Sequence, residues 1–315
     1  MKKSITNLCM LLCFISSASP LAGQTPHFKA AVIPANLLPG EPVSVAIAGA
    51  SGKNMRLSLV NKQGRLARAV FWMLSPRAFI EGNIVQAALV TVPVTASSGD
   101  AALRIENGDA VIKEIAVTIG TREFASEVIA LDERNTEIRS VTTAKKIQQA
   151  NKLLSILSHT GTDIYATTAF VPPVPAHTRR TSFFGDRRVY TYTTGETDAA
   201  IHAGIDYGVP TGTLVRSSAD GKVALAEYRE VTGYSVVIEH LPGVYSLYYH
   251  MSKLAVKQGA VVKKGYVLGE SGATGLATGP HLHWEIRVAG ENTDPDICSM
   301  RPIFDRDALL AKLEG

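Results

Sequence analysis

The sequence predicts a mainly β protein with an N-terminal immunoglobulin-like β-sandwich, a helical linker and a C-terminal antiparallel β domain. Three observations support this prediction. Short β-rich runs occur throughout residues 30–119, and apolar residues recur at helical spacing within residues 142–157. Glycine and β-branched residues dominate again from about residue 178 to residue 298. A chain of 315 residues, 46% hydrophobic and 19% charged, is typical of a globular protein and long enough for about two domains.

Residues 1–23 have the pattern of a secretory signal peptide. Lys2 and Lys3 form a basic start, an apolar run covers residues 8–15, and small residues precede Gly23. The apolar run is shorter than the roughly 20 residues that span a bilayer. We therefore expect export to the periplasm or cell envelope, or release outside the cell.

Cysteine content and charge exclude several classes of protein. Cleavage of the leader removes Cys9 and Cys13, so Cys298 remains alone and an internal disulfide or a cysteine zinc site is excluded. The formal net charge of +4 includes the two leader lysines, so the rest of the chain carries +2. This excess is too small to indicate a nucleic-acid partner.

Residues 24–120 are predicted to form the sandwich, because short strand-like runs alternate with turn signals such as Pro39-Gly40 and Ser98-Gly99-Asp100. The runs carry no cluster of chemically reactive side chains. We therefore interpret this module as a spacer or as a docking surface for cell-envelope proteins. The predicted strands cover residues 43–47, 56–60, 89–94, 101–105 and 111–117.

Residues 121–177 are predicted to form a helical and proline-rich linker. Apolar residues recur at helical spacing from Ile147 to Leu157, behind a Thr143 cap. Residues 170–175 contain three prolines, which favour an extended connector. We place a domain over residues 178–300 and a C-terminal helix within residues 301–315, at about Asp305 to Leu313.

Five of the eight histidines lie in the last domain, which suggests a metal site. His202 and Asp206 are four residues apart, and Gly204 and Gly208 between and after them disfavour a helix. In an extended segment both side chains project from one face. On this interpretation Gly204 leaves open space between them for a metal ion.

Residues 279–287 alternate polar and apolar side chains, as in a half-buried strand. His281, His283 and Glu285 then share a face. Two imidazoles and a carboxylate form a familiar catalytic zinc set, because three protein ligands leave a fourth position for water. Spacing alone selects no three ligands from the candidates and does not exclude a structural four-ligand site. The candidates are His202, Asp206, His281, His283 and Glu285.

From about Thr181 to Pro295 the chain resembles the lysostaphin and LytM-type zinc endopeptidases of bacterial cell walls. The resemblance depends on a His-x-x-x-Asp segment, a later His-x-His segment and many further matches that follow the same order along the chain. These include Ser182–Arg187, His202–Asp206, Pro210–Thr213, Asp220–Val223, Val236–His240, Tyr248–Ser252, Ser271–Gly275 and Thr278–Glu285.

The resemblance implies a catalytic antiparallel β domain that binds Zn²⁺ through His202, Asp206 and His283. It implies that His250 and His281 stand beside the water that the metal activates, and that the Gly272–Gly279 loop lies at the rim of the groove. Glu285 would orient a ligand histidine or pair with Arg287 or Arg216. His240 is interpreted as structural.

We therefore expect a secreted zinc endopeptidase that hydrolyses peptide bonds in peptidoglycan stems or cross-bridges, with peptidoglycan peptides as its partners and no nucleic acid. One alternative is a wall-binding regulator of other hydrolases that performs no catalysis. Another is a secreted metalloprotease that acts on other proteins. The arginines at positions 179, 180, 187 and 188 either make ion pairs with carboxylates, remain solvated or form a basic patch that docks an anionic partner.

Overall fold

The computed structural model describes residues 28–34, 36–50, 52, 54–74 and 76–315. The predicted signal peptide at residues 1–23 lies outside the described residues. The described chain is mostly β, as the sequence predicts, and its strands form four longer sheets and one two-stranded sheet. Within it, no helix combines the length and apolar character that a membrane span requires.

The N-terminal module consists of two packed sheets. One has the order β1-β3-β9-β6 and the other the order β2-β11-β10-β4-β5, and β9 packs against β4 and β5. This arrangement confirms a two-sheet β module, whose immunoglobulin type stays a prediction. The strands are β1 Lys29–Ile33, β2 Asn36–Leu37, β3 Pro42–Ala48, β4 Met55–Asn61, β5 Gly64–Val70, β6 Trp72–Met73, β7 Phe79–Ile80, β8 Asn83–Ile84, β9 Gln86–Thr91, β10 Gly99–Asn107 and β11 Ala110–Ile119.

The linker contains a strand, β12 (Ser126–Ala130), that was not predicted, followed by α1 (Glu133–Ser140) and α2 (Ala144–Leu157). Thr143 caps α2, as predicted, by accepting a hydrogen bond from the Lys146 amide. The predicted apolar face was partly wrong, because Ile147 and Leu154 are more than half exposed. The buried side instead centres on Leu157, which packs on the underlying sheet.

The C-terminal domain is built on one large antiparallel sheet of order β13-β16-β23-β20-β19-β18-β21. A smaller sheet, β12-β14-β15, joins the linker strand to this domain. The elements are β13 Arg180–Ser182, β14 Arg187–Thr191, β15 Thr197–Ile201, β16 Gly204–Tyr207, β17 Leu214–Arg216, β18 Gly221–Arg229, β19 Gly233–Leu241, β20 Val244–Leu254, β21 Val261–Val262, β22 Val267–Ser271, β23 Leu282–Val288, β24 Glu291–Thr293, α3 Pro295–Met300 and α4 Arg306–Glu314.

The predicted C-terminal helix forms as α4 and packs on the N-terminal module, against β1 and β3. This contact explains why every residue of β3 is buried, since the second sheet covers its other side. Ser44 donates a hydrogen bond to the Ile303 carbonyl at 2.6 Å, and Trp72 packs on Phe304. The two modules therefore share one hydrophobic core.

His240 is a structural residue of this core, in line with its interpretation from the sequence. Its Nδ1 donates to the Asp220 carbonyl at 2.7 Å, and its Nε2 lies 2.6 Å from the Ser246 hydroxyl. The imidazole also contacts Phe170 edge to face. Because the carbonyl can only accept a hydrogen bond, the ring is held with its proton on Nδ1.

We expect His240 to make the fold less stable at acidic pH. Burial lowers its pKa to about 4, from 6.5. Between these values the unfolded chain binds a proton that the folded chain rejects, so stability falls as the pH drops. The expected loss between pH 7.5 and pH 5 is about 2 kcal/mol. Urea unfolding at both pH values should show a smaller loss for His240→Gln than for the wild type. An equal loss in both would contradict the prediction.

Candidate active site

Three adjacent strands of the large sheet bring the predicted site residues together. Asp206 lies on β16, His283 on β23 and His250 on β20. His202 lies two residues before β16, and His281 lies one residue before β23. Asp206 is the register partner of His283, which in turn pairs with Tyr249. Strand pairing therefore places residues that are up to 81 positions apart within one small region.

His202, Asp206 and His283 form a buried triangle of ligand atoms. His202 Nε2 lies 3.1 Å from Asp206 Oδ1 and 3.0 Å from His283 Nδ1, and His283 Nδ1 lies 2.8 Å from Asp206 Oδ1. Tetrahedral zinc with ligands at roughly 2.0–2.1 Å places ligand atoms about 3.3 Å apart. The triangle is therefore close to the size that zinc requires.

Hydrogen bonds outside the triangle orient both imidazoles. His202 Nδ1 donates to the Phe183 carbonyl at 2.8 Å, so Nε2 carries the lone pair. His283 Nε2 lies 3.4 Å from Glu285 Oε2, which leaves Nδ1 toward the triangle. Such outer partners fix the tautomer of a metal-ligating histidine.

Glu285 satisfies two of the roles predicted for it. One oxygen faces His283, and the other accepts a hydrogen bond from Arg287 Nε. Arg216 is directed elsewhere and donates to the Gly265 carbonyl. On the polar face of β23, His283 and Glu285 are therefore buried and Arg287 is partly buried. The prediction of a half-buried strand was wrong because this network covers most of that face.

The charges around the triangle favour a cation. Burial by itself raises the pKa of Asp206, but its contacts with the His202 and His283 imidazoles hold it well below its usual value. Burial by itself lowers the pKa of His283, whereas hydrogen bonds to Asp206 and Glu285 raise it to about 9. A positive charge between these two carboxylates is thus stabilised, and the residues fit a zinc ion.

His250 and His281 lie beside the triangle with their rings 4.7 Å apart. His250 Nδ1 donates to the Thr274 carbonyl at 2.8 Å, and His281 Nδ1 donates to the Gly279 carbonyl at 2.9 Å. Each Nε2 therefore keeps a lone pair. Burial and the nearby imidazoles lower the pKa of His250 to about 3, so this ring is neutral at physiological pH.

His250 adopts a backbone conformation with φ of +60°, which is uncommon for a residue other than glycine. Such strain persists only where the surroundings determine it, and it is concentrated at functional sites. Its amide donates to the Thr232 carbonyl, which helps to fix the backbone in this position.

The site opens into a groove of about 550 Å³, which is within the usual size of ligand pockets. Residues 276–280 form one wall, in agreement with the rim expected from the resemblance. Ile129, Leu131 and Arg139 of the linker also line the groove. The linker is therefore part of the groove, and the sequence pattern did not reveal this.

The interpretation of Gly204 as open space for a metal was wrong. A Cβ atom at this position would lie 2.1 Å from the Trp284 carbonyl oxygen. Gly204 instead permits the close approach of β16 to β23, where it is the partner of Glu285. Asp206 reaches the triangle because these two backbones are close together.

Two of the four arginines at positions 179, 180, 187 and 188 make ion pairs, which was one of the alternatives predicted. Arg180 contacts Asp296 at 2.6 Å, and Arg188 contacts Asp206 at 2.7 Å. Arg187 donates to the Val94 carbonyl. Sequence reasoning did not single out Arg188 as a neighbour of the metal triangle, because the contact depends on a sheet that includes the linker.

Residues 200–295 match the model of peptidase family M23. These residues form an M23 peptidase domain. The match contains all five predicted site residues and confirms the resemblance to the lysostaphin and LytM type. In contrast, β12 and β14 of the neighbouring sheet lie outside the matched segment.

Two curated relatives are similar to this M23 domain. The chain is 42% identical over 129 residues to the DD-carboxypeptidase/endopeptidase Mpg of Neisseria meningitidis serogroup B, which covers 36% of this chain and 30% of that protein. It is 41% identical over 118 residues to the peptidoglycan DD-endopeptidase ShyA of Vibrio cholerae, covering 38% of this chain and 27% of that protein. The matches thus span less than a third of the length of these relatives.

A wider likeness exists to the crystal structure of a Pseudomonas aeruginosa protein assigned to peptidase M23. The TM-score is 0.56 at 23% identity, over 83% of this chain and 94% of the other. This likeness extends well beyond the M23 domain and shows a shared fold.

Proposed function

We propose that the chain is an exported zinc-dependent endopeptidase that cleaves peptide bonds of peptidoglycan. The observation that supports the proposal most directly is the buried triangle of His202, Asp206 and His283 in an M23 domain, with two further imidazoles beside it. The predicted signal peptide supports export.

Zinc held by the triangle would polarise the carbonyl of the scissile bond and make water a better nucleophile near neutral pH. His281 and His250 can accept a proton only at Nε2, because their Nδ1 atoms donate to backbone carbonyls. A proton taken there from water can pass to the leaving amine, so each imidazole can serve as base and then as acid.

The substrate is proposed from the groove and the relatives. The groove is large enough for several residues of an extended peptide. Both relatives described above are named as DD-endopeptidases or as enzymes with endopeptidase activity. A DD peptide bond of a cross-link is therefore the first substrate to test.

We expect the zinc-loaded mature chain to convert cross-linked peptidoglycan into uncross-linked fragments. Mass analysis of the products should show one new amine and one new carboxylate for each bond cut. A chelator should reduce the release to background, and His281→Ala should slow it about 10²–10⁴-fold. His159→Ala, which removes an exposed histidine, is the matched control.

Binding without cleavage would overturn the proposed activity. If the zinc-loaded protein binds peptidoglycan of several cross-link chemistries and releases nothing, a wall-binding regulator becomes the better interpretation. If it cleaves unrelated proteins and not peptidoglycan, the substrate assignment is wrong.

A further inference from the structure

Arg188 lies between the metal triangle and the linker. Its Nη2 is 2.7 Å from Asp206 Oδ2, and its Nε is 2.5 Å from Glu127 Oε1. The Arg188 side chain is only 12% exposed and that of Asp206 only 8%, so their ion pair is largely protected from water, whereas Glu127 is partly exposed. Charge-assisted hydrogen bonds of this kind are stronger than neutral ones.

The sheet register determines this contact. Strand β12 pairs with β14 in parallel, and Glu127 is the direct partner of Arg188. Glu127 also accepts a hydrogen bond from the Ser182 hydroxyl at 3.1 Å. Glu127 therefore holds the guanidinium at Nε, while Asp206 contacts it at Nη2.

The two oxygens of Asp206 have different partners. Oδ1 faces His202 Nε2 and His283 Nδ1, while Oδ2 faces only Arg188 among the hydrogen bonds and ion pairs described. A planar guanidinium fixes a carboxylate more strictly than an ammonium does. With Oδ2 occupied, Oδ1 is the oxygen that is free to bind a metal ion.

We propose that Arg188, anchored by Glu127, is a positioning residue that makes Asp206 a ligand through one oxygen. The proposal rests on the zinc site of the proposed function. Both residues lie outside the matched M23 segment of residues 200–295, so the family match does not assign them. The linker strand β12 would therefore help to set the geometry of the metal site.

A purely electrostatic role for Arg188 predicts the opposite result. A cation beside a Zn²⁺ site repels the metal, so removing the charge would tighten zinc binding. Loss of a positioning partner instead weakens binding, typically by 10–100-fold for residues behind a metal ligand. The direction of the change therefore separates the two roles.

The test is zinc affinity, measured by competition with a chromophoric chelator, for Arg188→Gln, Arg188→Lys and Glu127→Gln. Positioning predicts about 10–100-fold weaker binding for Arg188→Gln. The lysine variant should also bind more weakly although it keeps the charge, because it lacks the planar fork. Glu127→Gln should weaken binding less, because Arg188 remains. Arg180→Gln, which removes an ion pair with Asp296, is the matched control.

A second readout does not depend on affinity. With Co²⁺ in the site, the visible absorption should weaken in Arg188→Gln, as Asp206 gains a second coordinating oxygen and the coordination number rises. An unchanged spectrum together with unchanged or tighter zinc binding in all three variants would overturn the proposal. If the wild type itself binds no zinc, the proposed function fails instead, so the two failures are distinguishable.

Discussion

Asp206→Ala is expected to lose zinc and hydrolysis together. Asp206 Oδ1 is the carboxylate corner of the triangle and lies within 3.1 Å of both imidazole ligand atoms. Its removal also leaves Arg188, a cation, beside the empty position. The loss of zinc affinity should exceed the roughly 10–100-fold that outer partners cause. Metal content after dialysis and the rate of peptidoglycan cleavage are the two measurements.

His250→Ala is the informative contrast. Its ring is fixed by the Thr274 carbonyl and stands beside the triangle without forming part of it. This variant should keep its zinc and lose about 10²–10⁴-fold in cleavage rate, as expected for loss of a proton-transfer group. Loss of zinc from His250→Ala, or retention of zinc by Asp206→Ala, would show that the ligands are wrongly assigned.

The three residues of the triangle could be predicted because each lies in a short motif that can be recognised in the sequence. His202 and Asp206 lie four residues apart, and His283 lies in a strand whose alternation is visible in the chain. The resemblance then selected three ligands from five candidates. Backbone partners such as Phe183 and Thr274 were not predictable, since any residue type supplies a carbonyl oxygen.

The contribution of the linker was not predictable for a different reason. Glu127 and Arg188 meet through a parallel strand pair whose register no local pattern encodes. The same holds for the C-terminal helix: the sequence predicted the helix but not its packing on β3. Local patterns therefore predicted elements and motifs, whereas contacts between distant elements required the structure.

Gly204 shows how a correct local observation led to a wrong interpretation. A missing side chain suggests free space when one strand is considered alone. The neighbouring strand fills that space, because the Trp284 carbonyl oxygen lies where a Cβ atom would be. The residue is thus required by strand pairing, which only the three-dimensional arrangement reveals.

Gly204→Ala is consequently expected to be among the most damaging small substitutions in the chain. An added Cβ at 2.1 Å from a backbone oxygen forces β16 away from β23, since neither backbone can rotate aside. Overpacking in a core usually costs 1–3 kcal/mol and occasionally more, and we expect a loss of about 3 kcal/mol or more here.

Zinc binding should report the same displacement independently of stability. Asp206 lies two residues after Gly204 and is the register partner of His283, so a displaced β16 separates two of the three ligands. Zinc affinity of Gly204→Ala should therefore fall under conditions in which the protein is still folded. Gly279→Ala is the matched control, because a Cβ there meets no atom of the described residues within 4 Å. Chemical unfolding in chelator gives the stability difference, and zinc titration of the folded variants gives the second measurement. Equal values for the two variants in both experiments would mean that the β16–β23 approach does not position the ligands.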